Sequence, residues 1–155
     1  MCIRDSIYNI DSWCEAAIRV NSSNNLIVTG NVVHDITASG VGGDGRPCRE
    51  ANGIRFDSRN ALVENNLVFN AGKFGILADN GSGGTVRNNT LFNNGTDFES
   101  RGSAQTSNNL TSDGTNGRQV SSNVFVGPLT GQANSGSGVG TGFELLAGVG
   151  GFTPS

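Results

Sequence analysis

The chain has 155 residues, the size of one domain, with 24 Gly, 20 Asn, 35% hydrophobic and 15% charged residues and a formal net charge of −3. So much Gly and Asn excludes a helical bundle or coiled coil, and the lack of a long apolar run excludes membrane insertion by a helix. The low net charge and recurring short apolar runs argue against disorder, and the scattered Lys and Arg give no electrostatic reason to expect nucleic-acid binding.

Residues 1–6, Met1-Cys2-Ile3-Arg4-Asp5-Ser6, resemble an adapter artefact and are set aside as a non-native start. The chain is therefore expected to be an internal fragment, and the absence of a signal peptide does not argue against secretion. Repeated structure is expected over 7–130. Its first clear run is Ile18-Arg19-Val20, followed by Ile54-Arg55-Phe56, Ile76-Leu77-Ala78 and Phe98-Glu99-Ser100. Ile54, Ile76 and Phe98 are spaced by 22 residues, and Ile18 lies 36 before Ile54, one repeat plus an insertion of 14. Asn31, Asn66, Asn89 and Asn109 follow these runs after 13, 12, 13 and 11 residues, and each precedes a second apolar run. A third run falls between the two markers: Leu26-Ile27-Val28, Leu62-Val63 and Thr85-Val86.

Runs this short cannot form helices, and Asn and Gly at the corners supply positive-φ positions. One repeat cannot bury its apolar face, but stacked repeats can, each run pairing in parallel with its equivalent about 4.8 Å away. Asn at equivalent corners can then form a hydrogen-bonded ladder. The predicted fold is all-β: a solenoid of about five coils, three short strands per coil. Beyond it, 131–141 reads as a Gly-rich link and 142–155 as a tail folding back along the stack.

Alternation along the first run of each coil points Ile18, Val20, Ile54, Phe56, Ile76, Ala78, Phe98 and Ser100 inward. Arg19, Arg55, Leu77 and Glu99 form one outward column, and Asn21, Asp57, Asp79 and Arg101 form the next. Asp57 and Asp79 fall on adjacent rungs, where two carboxylates raise each other's proton affinity unless a cation sits between them. Lys73 lies at the corner leading into the same face. The insertion Thr37–Asn52 carries Asp44, Arg46, Arg49 and Glu50 and either walls a groove or is a surface loop of variable length. Cys14 and Cys48 each precede a similar run, so they either pair as a disulfide or remain two free thiols. His34, Phe69 and Phe92 each lie three residues beyond the corner Asn, as a sugar-stacking platform or as packing residues under a loop or the Phe143 tail.

The repeated N-N-x-φ-φ pattern and the G-I-x-x-D/S run resemble the right-handed parallel β-helix, pectate-lyase-like superfamily, over residues 18–126. That resemblance implies a secreted or cell-surface bacterial protein whose outer sheet face binds or cleaves an acidic polysaccharide, as a lyase or a hydrolase. It implies Arg55 or Lys73 as base, and Asp57 and Asp79 as an acid pair or as Ca²⁺ ligands. Arg19, Glu99, Arg101, Asp44 and Arg46 would contact the substrate. The family's clustered Asp with Gly-His-Gly and its Asp-Pro-His are absent from the sequence. The alternative is a noncatalytic structural or adhesion module of a surface protein or tailspike, its outward charges ordinary surface ion pairs. An enzyme should show a groove beside Asp57 and Asp79 walled by the 37–52 loop. Oligomeric state is left open.

Overall fold

A computed structural model describes residues 2–3, 6–11, 14–21, 24–42, 44–80, 83–115 and 118–119, with the side chains of 2, 3, 6, 118 and 119 excepted. The segments expected as link and tail, 131–155, lie outside the described residues. Three parallel sheets run the length of the stack. Sheet I holds β1 (Cys2–Ile3), β4 (Ile27–Thr29), β7 (Ala61–Glu64), β10 (Gly84–Arg87) and β13 (Gln105–Ser107). Sheet II holds β2 (Ser6–Asp11), β5 (Val32–Thr37), β8 (Leu67–Ala71), β11 (Thr90–Phe92), β14 (Leu110–Thr111) and β15 (Arg118–Gln119). Sheet III holds β3 (Ala16–Asn21), β6 (Asn52–Asp57), β9 (Phe74–Ala78) and β12 (Thr96–Ser100). From β1 to β14 the chain visits I, II and III in turn, so the rest of each coil serves as the crossover that parallel pairing needs. This is the parallel β-helix that the repeat predicts.

The register agrees with the repeat. Ile18 pairs with Ile54, Ile54 with Ile76, and Ile76 with Phe98. Structure also begins earlier than 7, because Cys2–Ile3 pairs with Ile27–Val28 and Ser6 with Val32. The inward residues of all three sheets merge into one core: Ile54, Phe56, Val63, Val68, Ile76, Val86 and Leu91 are fully buried. Burying each such side chain is worth about 1.5–3 kcal/mol. The core is tight where sheets II and III meet: a Cβ on Gly53 would stand 2.4 Å from Val68 Cγ1.

The Asn-Asn doublets divide their work. The first residue of each corner pair, Gly30, Asn65, Asn88 or Asn108, takes φ of 68°, 53°, 54° or 52°, a left-handed conformation that Gly and Asn tolerate best. The second, Asn31, Asn66, Asn89 or Asn109, turns into the core and is at most 2% exposed. There Asn31 Nδ2 donates to Asn66 Oδ1 (2.8 Å), Asn66 to Asn89 (2.9 Å) and Asn89 to Asn109 (3.0 Å). Each acceptor Oδ1 also takes the backbone N–H of the preceding ladder residue, at 3.0–3.1 Å. A second, outer ladder runs from Asp35 through Asn70 to Asn93, each link 2.8 Å and each residue again at positive φ.

The last strand of sheet III is closed by side chains. Asp97 N–H donates to Asp113 Oδ2 (2.8 Å) and Phe98 N–H to Thr115 Oγ1 (3.0 Å). Burial pushes the Asp113 carboxyl up, but hydrogen bonds from the Thr115 hydroxyl and the backbone N–H groups of Asp97 and Thr115 outweigh it and hold the carboxyl low. The Asp97 carboxylate is itself fully buried and accepts from Asn94 Nδ2 (2.8 Å), Ser112 Oγ (2.8 Å) and Asp113 N–H (3.1 Å).

Candidate functional site

The outer face of sheet III carries the predicted charges because one strand position repeats outward in every coil. Arg19 pairs in register with Arg55, Arg55 with Leu77, and Leu77 with Glu99. Leu77 differs from its column: it is fully buried, although it is not part of the core cluster. Asp57 and Asp79 each lie one place beyond the paired Phe56 and Ala78, on adjacent rungs, and Asp79 N–H donates to Phe56 O at 2.9 Å.

Asp79 is the centre of a guanidinium network. Its Oδ2 accepts from Arg55 Nη2 at 2.5 Å and its Oδ1 from Arg101 Nη1 at 3.2 Å. The carboxylate is only 3% exposed, but what covers it is charge rather than apolar depth. Burial therefore pushes its pKa up less than the Arg55 and Arg101 guanidiniums and the Asn80 backbone N–H pull it down, and it sits below the usual range. On its other side Arg55 reaches Glu15 Oε2 at 3.4 Å, and Glu15 also pairs with Arg19. Asp57 and Glu99, both half-buried, make no ion pair with another described residue.

These contacts decide the chemistry open to the predicted residues. The Arg55 guanidinium is already engaged by two carboxylates, Asp79 at 2.5 Å and Glu15 at 3.4 Å, so Arg55 is poorly placed to act as a base. Asp79, kept ionised by two cations, is poorly placed as the proton donor of a hydrolytic pair. As Ca²⁺ ligands Asp57 and Asp79 fall short, because both Asp79 oxygens are already engaged and Ca²⁺ takes six to eight oxygens. Among the described residues no group of three His, Cys, Asp or Glu is arranged to hold a metal ion.

A concave feature lined by none of Arg55, Asp57, Asp79 and Arg101 adjoins this network. A cleft of about 570 Å³ is lined by Cys14, Gly42, Asp44, Arg46, Pro47, Cys48, Arg49, Glu50 and Lys73. The 37–52 loop walls it, as the sequence predicts of a groove, but its floor is Lys73 and Glu50 rather than Asp57 and Asp79. Burial raises the Glu50 pKa, yet hydrogen bonds from Lys73 and from Asn52 Nδ2, at 3.1 Å, bring it below the usual carboxylate range. Lys73 Nζ also lies 5.2 Å from the centre of the Phe74 ring, and Arg101 Cζ lies 5.7 Å from it. Arg46 is 85% exposed and 3.9 Å from Asp44, itself 64% exposed. Arg49 is exposed, with no ion-pair partner among the described residues.

Cys14 and Cys48 form a disulfide, Cα to Cα 4.6 Å, that ties the loop to the start of β3. Of the aligned rings, His34 and Phe69 stack with centroids 4.6 Å apart, and Tyr8, not among those aligned, stacks on the other side of His34 at 5.3 Å. His34 and Phe69 are fully buried, so they are packing residues and not an open platform, and Phe92 is half-buried one rung further on. Two members of the site were not predicted. Glu15 sits in an irregular coil without a repeat marker, and Phe74 shares its column with Asn52 and Thr96, whose chemistry gives no hint of an aromatic.

A family model described as right-handed beta helix region matches residues 3–140. No curated protein and no solved structure matches the chain.

Proposed function

The chain belongs to the right-handed β-helix family, and on that premise we propose that it is a secreted or cell-surface module that binds an acidic polysaccharide in the loop-walled cleft without cleaving it. One observation carries the reading. The cleft offers exposed guanidiniums, Arg46 and Arg49, beside the Lys73–Glu50 ion pair, whereas two of the residues proposed for catalysis, Arg55 and Asp79, are tied to each other on the neighbouring face. Carboxylate or sulfate groups spaced along a glycan suit such fixed, solvent-facing donors, because Arg presents a planar fork to planar anions. The disulfide supports an oxidising, extracellular setting.

The test is affinity electrophoresis in gels containing polygalacturonate, alginate or chondroitin sulfate, with a neutral glucan as control. The protein should be retarded by at least one acidic gel and not by the neutral one, less so as salt rises. The Arg46→Ala/Arg49→Ala variant should lose at least tenfold in affinity. Incubation with the same polymers, with and without Ca²⁺, should release neither unsaturated product nor reducing ends. Product release overturns the noncatalytic reading, and free migration in every acidic gel overturns binding.

A further inference from the structure

We propose that the Cys14–Cys48 disulfide is a redox-sensitive strap: its reduction frees the 40–49 segment and dissolves the cleft while the coils stay folded. The proposal rests on the binding reading above, because the strap matters for function only if the cleft holds the ligand. Both cysteines line the cleft, on which they are half-buried, so a small thiol can reach the bond.

The segment's other bonds are its own. Gly42 N–H donates to Arg46 O (2.7 Å), Gly45 N–H to Gly42 O (2.9 Å) and Cys48 N–H to Gly40 O (3.1 Å). Val41 and Pro47 form an antiparallel bridge, and Arg46 N–H donates to Asp44 Oδ1 at 3.1 Å. This is a small hairpin closed on itself. Its noncovalent anchors lie on either side: Ser39 on Asp11 before it, and Glu50 and Ala51 on Lys73 after it. Among the described residues, the disulfide is the one bond that fastens the hairpin itself to a coil.

The coils, by contrast, are held across the insertion without it. Ile36 before the hairpin and Ala51 after it both belong to the core cluster. Cys14 is held at φ 72°, a left-handed conformation that a side chain other than Asn or Gly disfavours, and opening the bond lets that backbone relax. The chemistry balances with a dithiol as reductant. Its thiolate attacks one sulfur, the other Cys leaves as thiolate and is protonated, and the second thiol closes the reductant into its own disulfide as the remaining Cys is released.

The experiment compares oxidised protein, protein in dithiothreitol, and the Cys14→Ser/Cys48→Ser variant. Each is digested briefly with trypsin and mapped by mass spectrometry, and each is run in the polygalacturonate, alginate and chondroitin sulfate gels. Arg46 precedes Pro47 and resists trypsin, so the bond after Arg49 reports the hairpin, and those after Arg55 and Arg87 report the coils. Reduction and the double variant should each speed cleavage after Arg49 at least tenfold, leave Arg55 and Arg87 protected, and weaken retention at least tenfold. Unchanged cleavage after Arg49 overturns the strap. Faster cleavage after Arg55 and Arg87 as well overturns it too, because the bond would then be holding the coils. Unchanged retention despite a loosened hairpin overturns its control of the cleft. If the oxidised protein is not retained in any acidic gel, the binding reading falls, and the strap stands or falls on the cleavage pattern alone.

Discussion

The buried asparagine ladder and the outer row of ion pairs run along the same axis, and both join one coil to the next through side chains. The ladder uses the same neutral residue in four successive coils, at 2.8, 2.9 and 3.0 Å, with each of the four at most 2% exposed. The outer row uses Glu15, Arg55, Asp79 and Arg101, its links stretch from 2.5 to 3.4 Å, and its side chains range from 3% to 44% exposed. Inside, an unpaired amide has no water to turn to, so only a residue that satisfies its neighbours above and below can stand there. Outside, water reaches most of the partners, Asp79 excepted, and each coil is free to carry a different side chain.

The largest effect expected from this contrast is in the ladder. Asn66 donates to Val28 O, Glu64 O and Asn89, and accepts from Asn31 through both backbone and side chain. Asn66→Ala strands several buried groups and should destabilise the protein by about 3–5 kcal/mol in chemical denaturation. A loss below about 1 kcal/mol would mean that the ladder is no more than decoration. Next comes Arg55→Gln, which leaves the nearly buried Asp79 with Arg101 alone and should remove about 2–3 kcal/mol.

Acid should divide the two regions more finely. Asp79, Glu50 and Asp113 all have carboxyls held below their ordinary range in the folded protein. The stability they add is complete above the unfolded pKa of about 4 and is lost as pH falls through the lower folded values. Denaturation midpoints should therefore drop on going from pH 5 to pH 2, and drop less in Arg55→Gln. The amide ladder binds no protons over that span, so an Asn66→Ala background should show the unaltered slope. The smallest effect belongs to Arg87, half-exposed and 2.8 Å from Glu64: Arg87→Gln should shift stability by no more than about 0.5 kcal/mol.

The same contrast explains what could be read beforehand. Ile54, Ile76, Phe98 and the four ladder asparagines were legible because a constraint that recurs in space recurs in spacing. The columns Arg19–Arg55 and Asp57–Asp79 followed from alternation alone. Which carboxylate captures Arg55 did not, because side-chain reach depends on neighbours such as Glu15, which lies 40 residues away in sequence and outside any period. The disulfide was equally undecidable, since the insertion between its cysteines has no counterpart in the other coils. The cleft moved from the Asp57–Asp79 column to Lys73 and Glu50 for that reason too: the hairpin folds by its own hydrogen bonds and is placed by Cys48.

Between β5 and β6 the chain leaves the stack at Thr37 and returns at Asn52, whereas β8 passes to β9 through Gly72 and Lys73 alone. Yet Ile54 still sits level with Ile18 below it and Ile76 above it. Closing a longer excursion adds only about 0.6 kcal/mol for each doubling of its length. That corner therefore behaves as a socket: peptides of quite different size and chemistry can be exchanged there, and the architecture beneath them need not be rebuilt.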